Sequence, residues 1–579
     1  MRADSVRSRF VWSLTLALVL AAALRGVFPT ADPPWRTTVG VVWHDEGAWV
    51  HNARNKALFG SWRIDEWNPV FIAPVFTGLE YLSFEAFGVG VRQARLVSEL
   101  AGVASVLLLG LGVRRVAGNL AGILAAGLLA TNYVYVMYDR AAIMEALMVA
   151  FIVASWYCST RAMDRPAWGA PAGILAVAAY FTKAAAVFYV GVLVLSAGWS
   201  LLPLSTRMIT DEGIRERKAA LWTLAGLAAT MAIVTAAFVL PHWTDYRFYN
   251  WQMSVTRKPS YDLGSLLTRL SWFPILHDTF SRMWFEVVVG IVGAWGVLLR
   301  WRRANVADRL LLLWIAVGAL ELVVHDVGNE RRFVFMIPAL VALTAIVLGR
   351  GDGVLPGEAV DVPRRRVLLF SPLIVYSAYL ISGPIGRLPF LYTVRPGVRL
   401  SAALAVLLGG LVIVTWKRTA RFLSAGRWSA TAAVMLTLML IGRDVVEFTQ
   451  WALVRSYKNV EASRLLARAL PPETLVQGKL ANGLSLENRI KPVFIGHEFG
   501  NYADRKRRDD VRYILTYIEP LIGYEGSQIR DVLDAYPQWR VVMTFDVAET
   551  PSGHDRAALI DKFGNRRAPV DHGMGRAQD

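Results

Sequence analysis

Apolar runs of about 20 residues recur along most of this chain, each long enough to cross a bilayer core of roughly 30 Å. Such runs leave little choice of fold, because backbone N–H and C=O groups in lipid must be satisfied within the segment, which makes each run a helix. Read against the basic residues between them, they give about thirteen spans, near residues 10 to 28, 92 to 113, 118 to 138, 142 to 160, 167 to 182, 184 to 203, 219 to 240, 284 to 300, 308 to 325, 333 to 349, 367 to 384, 399 to 416 and 428 to 447. The first run follows Arg2, Arg7 and Arg9 as a signal peptide would. No small-x-small cleavage site precedes the Pro/Trp-rich segment after it, so it is expected to be a retained span. The expected fold class is a polytopic α-helical membrane protein.

Charge then orders the loops. Arg114-Arg115, Arg161 with Arg165, Arg215 to Lys218, Arg300 to Arg303, Arg364 to Arg366 and Lys417-Arg418 fall in alternate short loops, which predicts a cytoplasmic N-terminus. An odd number of spans then puts the C-terminus outside, in a multi-pass protein of the plasma (inner) membrane. The formal net charge of +17 would suggest a nucleic-acid partner in a soluble protein. Here it is scattered between spans as membrane topology requires, so no nucleic acid is expected. The lone cysteine, Cys158, lies in an apolar stretch and cannot form an internal disulfide.

Two outward regions are more than short connections. In the first, residues 30 to 90, Glu46 to Phe59 repeats its apolar members at helical spacing and is expected to lie flat on the membrane as a juxtamembrane helix. Val70 to Phe87 is apolar but carries Glu80 and Glu85 and would invert every later loop as a span, so it is expected to be interfacial. The five tryptophans between Trp35 and Trp67 read as an anchoring belt in preference to a sugar-stacking surface. The second region begins after Phe448, dividing the chain into a membrane domain, 1–448, and a soluble domain outside the cytoplasm, 449–579. Short apolar runs at Val511 to Ile518 and Val541 to Val547 read as strands and Val460 to Ala469 as a helix, giving a small α/β domain. The polar tail after Pro551 is expected to be poorly ordered.

Ionisable residues at span ends carry the chemistry, since a charge at the centre of the bilayer costs about 2.5 to 3.5 kcal/mol on insertion scales. Asp45 and Glu46 stand just past the first span; Asp139, Arg140 and Glu145 lie between the third and fourth; Lys183 follows the fifth; His325, Asp326, Glu330, Arg331 and Arg332 precede the tenth. Each has an unremarkable reading: Lys183 as a snorkelling side chain, Arg331-Arg332 as a stop signal, Asp139 with Arg140 as a helix-end pair. Their convergence on the outer level, where positive charge is normally sparse, suits a substrate with both a phosphate and a hydroxyl. His44, Asp45, Glu46 and His51 could form a metal site, but without the two-histidines-per-turn zinc spacing, and no cofactor is required.

These residues resemble a family. Asp45-Glu46 followed by Ala53-Arg54, Gly60-Ser61-Trp62, Pro69, Pro74, Phe87-Gly88 and Arg95-Leu96, then Arg140 to Glu145, Thr182-Lys183 and Arg332-Phe333 with Pro338, are similar in order and spacing to the GT-C membrane glycosyltransferases. Within them, family 39, the protein O-mannosyltransferases and lipid A aminoarabinose transferases, is the nearest in style. The resemblance covers roughly residues 10 to 345. It implies a polyprenyl-phosphate sugar donor, a protein, lipid or glycan acceptor, and transfer at the outer face with inversion at the sugar carbon. It also implies Asp45 as the base with Glu46 and Glu145 as its acidic companions, and Lys183 and Arg332 as holders of the donor phosphate, beside which Arg331 and Arg140 are further candidate phosphate contacts. His44, His325 and Arg54 are candidate substrate contacts. Phe333 stands where tyrosine is common in the family. Two other classes compete: a secondary transporter with an intramembrane charge path, and a non-catalytic membrane scaffold. The transporter reading predicts midplane charges and internal repeats, whereas this chain gathers its charges at one surface.

Overall fold

The structure, a computed structural model, describes residues 2–34, 43–202, 210–256, 262–265, 282–325, 330–350, 355, 357–386, 396–425, 429–494, 508–519, 521–523, 529–548 and 555–564. Each of the expected apolar runs falls on a helix. Among the described residues, five helices are long and apolar enough to cross a membrane, and up to seven if two bent pairs each count as one span. The remaining apolar runs form helices that are shorter, such as Gly169–Thr182 and Trp284–Leu299, or carry more charge, such as Val306–His325.

Two local events shape the bundle around the site. Helix Val91–Thr131 is interrupted at Gly118, whose φ of +88° only glycine adopts without strain. Its arms fold back so closely that a β-carbon on Gly122 would sit 2.7 Å from the Gly110 carbonyl oxygen. The second event is a 114° bend between helices Tyr133–Asp139 and Met144–Ala162. The bend places the N-terminus of the latter, with Glu145 in its first turn, against the first outward region. Beneath it, Asp139 is sealed by Arg25, with Nη2 2.7 Å from Oδ2 and both side chains almost fully buried.

The first outward region differs from the single flat helix expected. It forms two short helices, His44–Trp49 and His51–Phe59, broken at Val50. The second ends in Gly60 at φ +75°, a left-handed C-terminal stop. His51, Asn52, Ala53, Arg54 and Asn55 are all buried, because the region is covered by the C-terminal domain. Val70 to Phe87 divides into a turn, Pro69–Phe71, and a helix, Pro74–Phe87, whose 14 residues are too short for a span. Three of the tryptophans expected to form a lipid-facing belt are instead enclosed by protein. Trp43, Trp49 and Trp67 are buried, with Trp43 donating to the Tyr517 hydroxyl at 3.1 Å and Trp67 stacked on Phe494. Trp35 lies outside the described residues.

The last long helix, Ala430–Leu453, runs past residue 448 before the chain enters the α/β domain. Its strands β1 (Leu475–Gln477), β2 (Lys491–Val493), β3 (Tyr513–Glu519), β4 (Arg540–Asp546) and β5 (Arg556–Asp561) form one sheet in the order β2-β1-β3-β5-β4. β1 pairs in parallel with β2 and β3, and β5 pairs antiparallel with β3 and β4. Strand β5 corrects the expectation of an unstructured tail from Pro551, since Ala557 to Ile560 are fully buried at the centre of the sheet. The packed helix Lys458–Ala469 and the short helix Lys479–Gly483 after β1 face the membrane domain.

Candidate active site

Asp45 and Glu46 both lie in the first turn of helix His44–Trp49. Adjacent helical residues point about 100° apart, and that angle gives the two carboxylates different surroundings. Glu46 turns inward. Its two oxygens take a bidentate pair of bonds from Arg95, each 2.8 Å, and Oε1 also accepts the Ala142 N–H at 2.9 Å. Arg95 Nη1 donates to the carbonyls of Pro29 and Ala31. Glu46 is thus a strut joining the first outward region to two helices, with no oxygen directed at a substrate.

Asp45 turns the other way. Its Oδ2 accepts from Arg331 Nη1, and its Oδ1 lies 3.6 Å from Lys479 Nζ and 4.0 Å from His44 Nε2. Arg331 in turn places Nε 3.4 Å from Glu145 Oε1, which also accepts from Lys183 Nζ. The result is an alternating chain, Lys479, Asp45, Arg331, Glu145, Lys183, assembled from five separate elements. Local backbone explains how two of the cations reach it. Lys183 sits in extended backbone, φ −157°, between helix Gly169–Thr182 and the turn Ala184–Ala186, so its side chain leaves the helical stack instead of following it. Arg331 belongs to the tight turn Glu330–Met336 that opens helix Ile337–Arg350. Arg332 is near enough for its charge to act on Lys183.

Counting these groups as ionised, two carboxylates face three cations, or four with Arg332, so the cluster is electropositive. Burial works to raise the Asp45 pKa, but Lys479, Arg331 and His44 outweigh it and hold the carboxyl below the usual carboxylate range. Exposure is lowest at Glu145, 1%, and rises along the chain through Arg331 at 10% and Asp45 at 14% to Lys479 at 26%, with Lys183 at the other end at 15%.

Several residues expected at the site are elsewhere. Arg140 donates to the carbonyls of Leu24, Arg25 and Phe28 and lies over the Trp451 ring, which makes it a clamp on the end of the first helix. Arg54 is fully buried and donates to the carbonyls of Ser485, Asn488 and Ile490, tying the outward region to the C-terminal domain. His51 faces Asp65 at 2.9 Å and Asn482 at 3.0 Å, so His44, Asp45, Glu46 and His51 do not converge. His325 ends helix Val306–His325, but its side chain, like Asp326, lies outside the described residues. Lys479 was missed by sequence reasoning. Glu80 was noticed only as an obstacle to a span, yet it is fully buried and neither of its oxygens has a hydrogen-bond partner among the described residues.

With this geometry in hand, comparison with known proteins is informative. Residues 72–215 match the family model described as dolichyl-phosphate-mannose-protein mannosyltransferase. ArnT from Cupriavidus metallidurans in the apo state superposes with a TM-score of 0.54 at 15% identity, covering 96% of this chain and 98% of that one. The chain shares the fold of this ArnT. The same ArnT bound to undecaprenyl phosphate gives 0.51 at 16% identity, covering 95% and 97%. No curated protein matches the chain by sequence. The likeness in fold covers the C-terminal sheet as well as the long helices.

Proposed function

We propose that this protein is an integral membrane glycosyltransferase that moves a sugar from a polyprenyl-phosphate donor to a hydroxyl acceptor at the outer face of the membrane. One observation carries the reading: a carboxylate and several cations from separate elements share one partly buried electropositive cluster. The ArnT that shares this fold has been captured with undecaprenyl phosphate, which supports a lipid-phosphate donor here.

In the proposed reaction the acceptor hydroxyl gives its proton to Asp45 as its oxygen attacks the anomeric carbon of the donor sugar. The bond from that carbon to the phosphate oxygen breaks with inversion, and the polyprenyl phosphate leaves with the electron pair. Its phosphate changes from a diester with one negative charge to a monoester with up to two. Arg331, Lys183 and Arg332 neutralise the charge that develops, in a site where water is partly excluded and such interactions are strengthened. Glu145 keeps Arg331 and Lys183 together before the donor arrives.

The resting ion pairs also suggest an order of events. A carboxylate pinned by two cations is a weak base, so Asp45 becomes effective when the donor phosphate competes for Arg331 and loosens its hold. Donor binding then precedes proton transfer. The test is to incubate purified protein and its Asp45→Asn variant with radiolabelled polyprenyl-phosphate sugars and membrane extract. Wild type should label an acceptor fraction and the variant should not. Failure of wild type to consume any donor, or equal transfer by the variant, overturns the reading. A transporter would move solute without making a labelled product, and a scaffold would be indifferent to the substitution.

A further inference from the structure

The helix Lys479–Gly483 does more than rest on the membrane domain. It crosses helix His44–Trp49 with backbone against backbone. A β-carbon on Gly47 would lie 1.9 Å from the Asn482 carbonyl oxygen, and one on Gly483 would lie 2.7 Å from the His44 β-carbon. Glycine at both positions is what permits the approach, and the approach brings the first residue of the crossing helix to the base. Lys479 itself follows Gly478, which holds φ +125° where a β-carbon would strike the Leu515 carbonyl at 2.3 Å. Lys479 is thereby fixed by the sheet on one side and the glycine crossing on the other.

Two further contacts hold the domain in register. Arg54 donates to three carbonyls between Ser485 and Ile490, and Asp32 accepts from the Ser456 hydroxyl and the N–H groups of Lys458 and Asn459. The position of Lys479 relative to Asp45 is therefore set by several buried polar contacts. Among the five linked charges Lys479 is the most exposed, at 26%. An acceptor entering from solvent meets it first.

We propose that Lys479, delivered by the C-terminal domain, is a positioning residue of the transfer site, its ammonium holding the Asp45 oxygen that must face the acceptor hydroxyl. Oδ2 is committed to Arg331, which leaves Oδ1 as the free face of the base, and Lys479 Nζ stands 3.6 Å from it. An ammonium has three N–H donors, so it can direct Oδ1 while offering another donor to an oxygen of the acceptor. The C-terminal domain thereby becomes a working wall of the active site, not an appended module. The groups facing Asp45 are His44 on its own helix, Arg331 from the turn before helix Ile337–Arg350, and Lys479 from the C-terminal domain, with Glu145 and Lys183 one step further through Arg331.

The inference rests on the glycosyl-transfer reading, and the experiment separates the two. Full-length wild type, Lys479→Gln, Lys479→Arg and Asp45→Asn would each be titrated by infrared difference spectroscopy, following the protonated-carboxyl band that Asp45→Asn lacks. Losing a cation within 4 Å should move the Asp45 midpoint up by about one pH unit or more in Lys479→Gln, and Lys479→Arg should restore it. With whichever radiolabelled donor wild type consumes, the acid limb of the rate profile should move the same way, with the acceptor KM raised more than the donor KM. A Lys479→Gln protein with the wild-type midpoint and wild-type acceptor KM overturns the proposal. An Asp45→Asn protein that still transfers sugar overturns the functional reading, whatever the titration gives.

Discussion

Glu46 with Arg95 and Asp45 with Arg331 are two carboxylate–guanidinium pairs one residue apart in sequence, and the contrast between them shows how the fold separates support from chemistry. The first is densely bonded: both Glu46 oxygens accept from Arg95, Oε1 also accepts the Ala142 N–H, and Arg95 Nη1 donates to the carbonyls of Pro29 and Ala31. The second is unsaturated in charge, with three cations strung on two carboxylates and both terminal lysines partly exposed. A densely bonded buried pair fixes geometry and offers nothing to a ligand. A chain with spare positive charge is stable enough to persist and able to exchange one of its carboxylates for a phosphate.

The comparison is broken most directly by exchanging the two acids for their amides. Asp45→Asn should cut transfer by about 10²- to 10⁴-fold, the usual worth of a positioned base, with an unchanged melting temperature. Glu46→Gln should do the reverse, leaving the base in place but lowering thermal stability. A Glu46→Gln enzyme as stable as wild type would show that the strut is unnecessary. Truncating the other partner is the next largest effect. Arg95→Met leaves the Glu46 carboxylate buried without its cation and should cost about 3 to 5 kcal/mol, read by denaturation or by yield of folded protein in detergent. Arg331→Gln should instead cost about 10²- to 10³-fold in kcat, as removal of a group that stabilises developing charge does, with little loss of stability.

The smallest effect concerns Glu80, near enough to Glu46 for their charges to repel. Burial, reinforced by Glu46, pushes its carboxyl well above the ordinary value. A carboxyl whose pKa is raised by folding favours the native state at low pH, and this advantage fades as pH climbs past the unfolded value near 4.5 toward the folded one. Glu80→Gln should therefore stabilise the protein increasingly as pH rises from 5 to 8, by at most about 1.4 kcal/mol per pH unit. Melting curves at a series of pH values check this, and a pH-independent difference would mean that Glu80 is already neutralised by a partner.

Much of the architecture was legible because period and length are local properties. The apolar runs, the fold-back near Gly118 and the alternation of strand and helix after residue 453 all follow from neighbours in sequence. Asp45, Glu145, Lys183 and Arg331 could be singled out because charge at a span end is costly wherever the helix goes. What could not be read was anything set by the docking of the two regions. Lys479 reaches a carboxylate more than 400 positions earlier, and no spacing rule connects them. The same docking buries Trp43 and Trp67, which read as membrane anchors because their amphipathic rings suit either setting. Arg140 misled for a related reason: three carbonyls at the end of the first helix satisfy its guanidinium, and carbonyl acceptors carry no sequence signature.

The glycine crossing between Gly47 and Gly483 has a consequence for how such proteins can diverge. Where main chain meets main chain there is no side chain to trim or enlarge, so the seam cannot be retuned by gradual substitution. A chimera carrying a foreign cap should tolerate changes anywhere on the sheet's outer face, yet fail unless the two short helices between His44 and Phe59 are transplanted from the same donor.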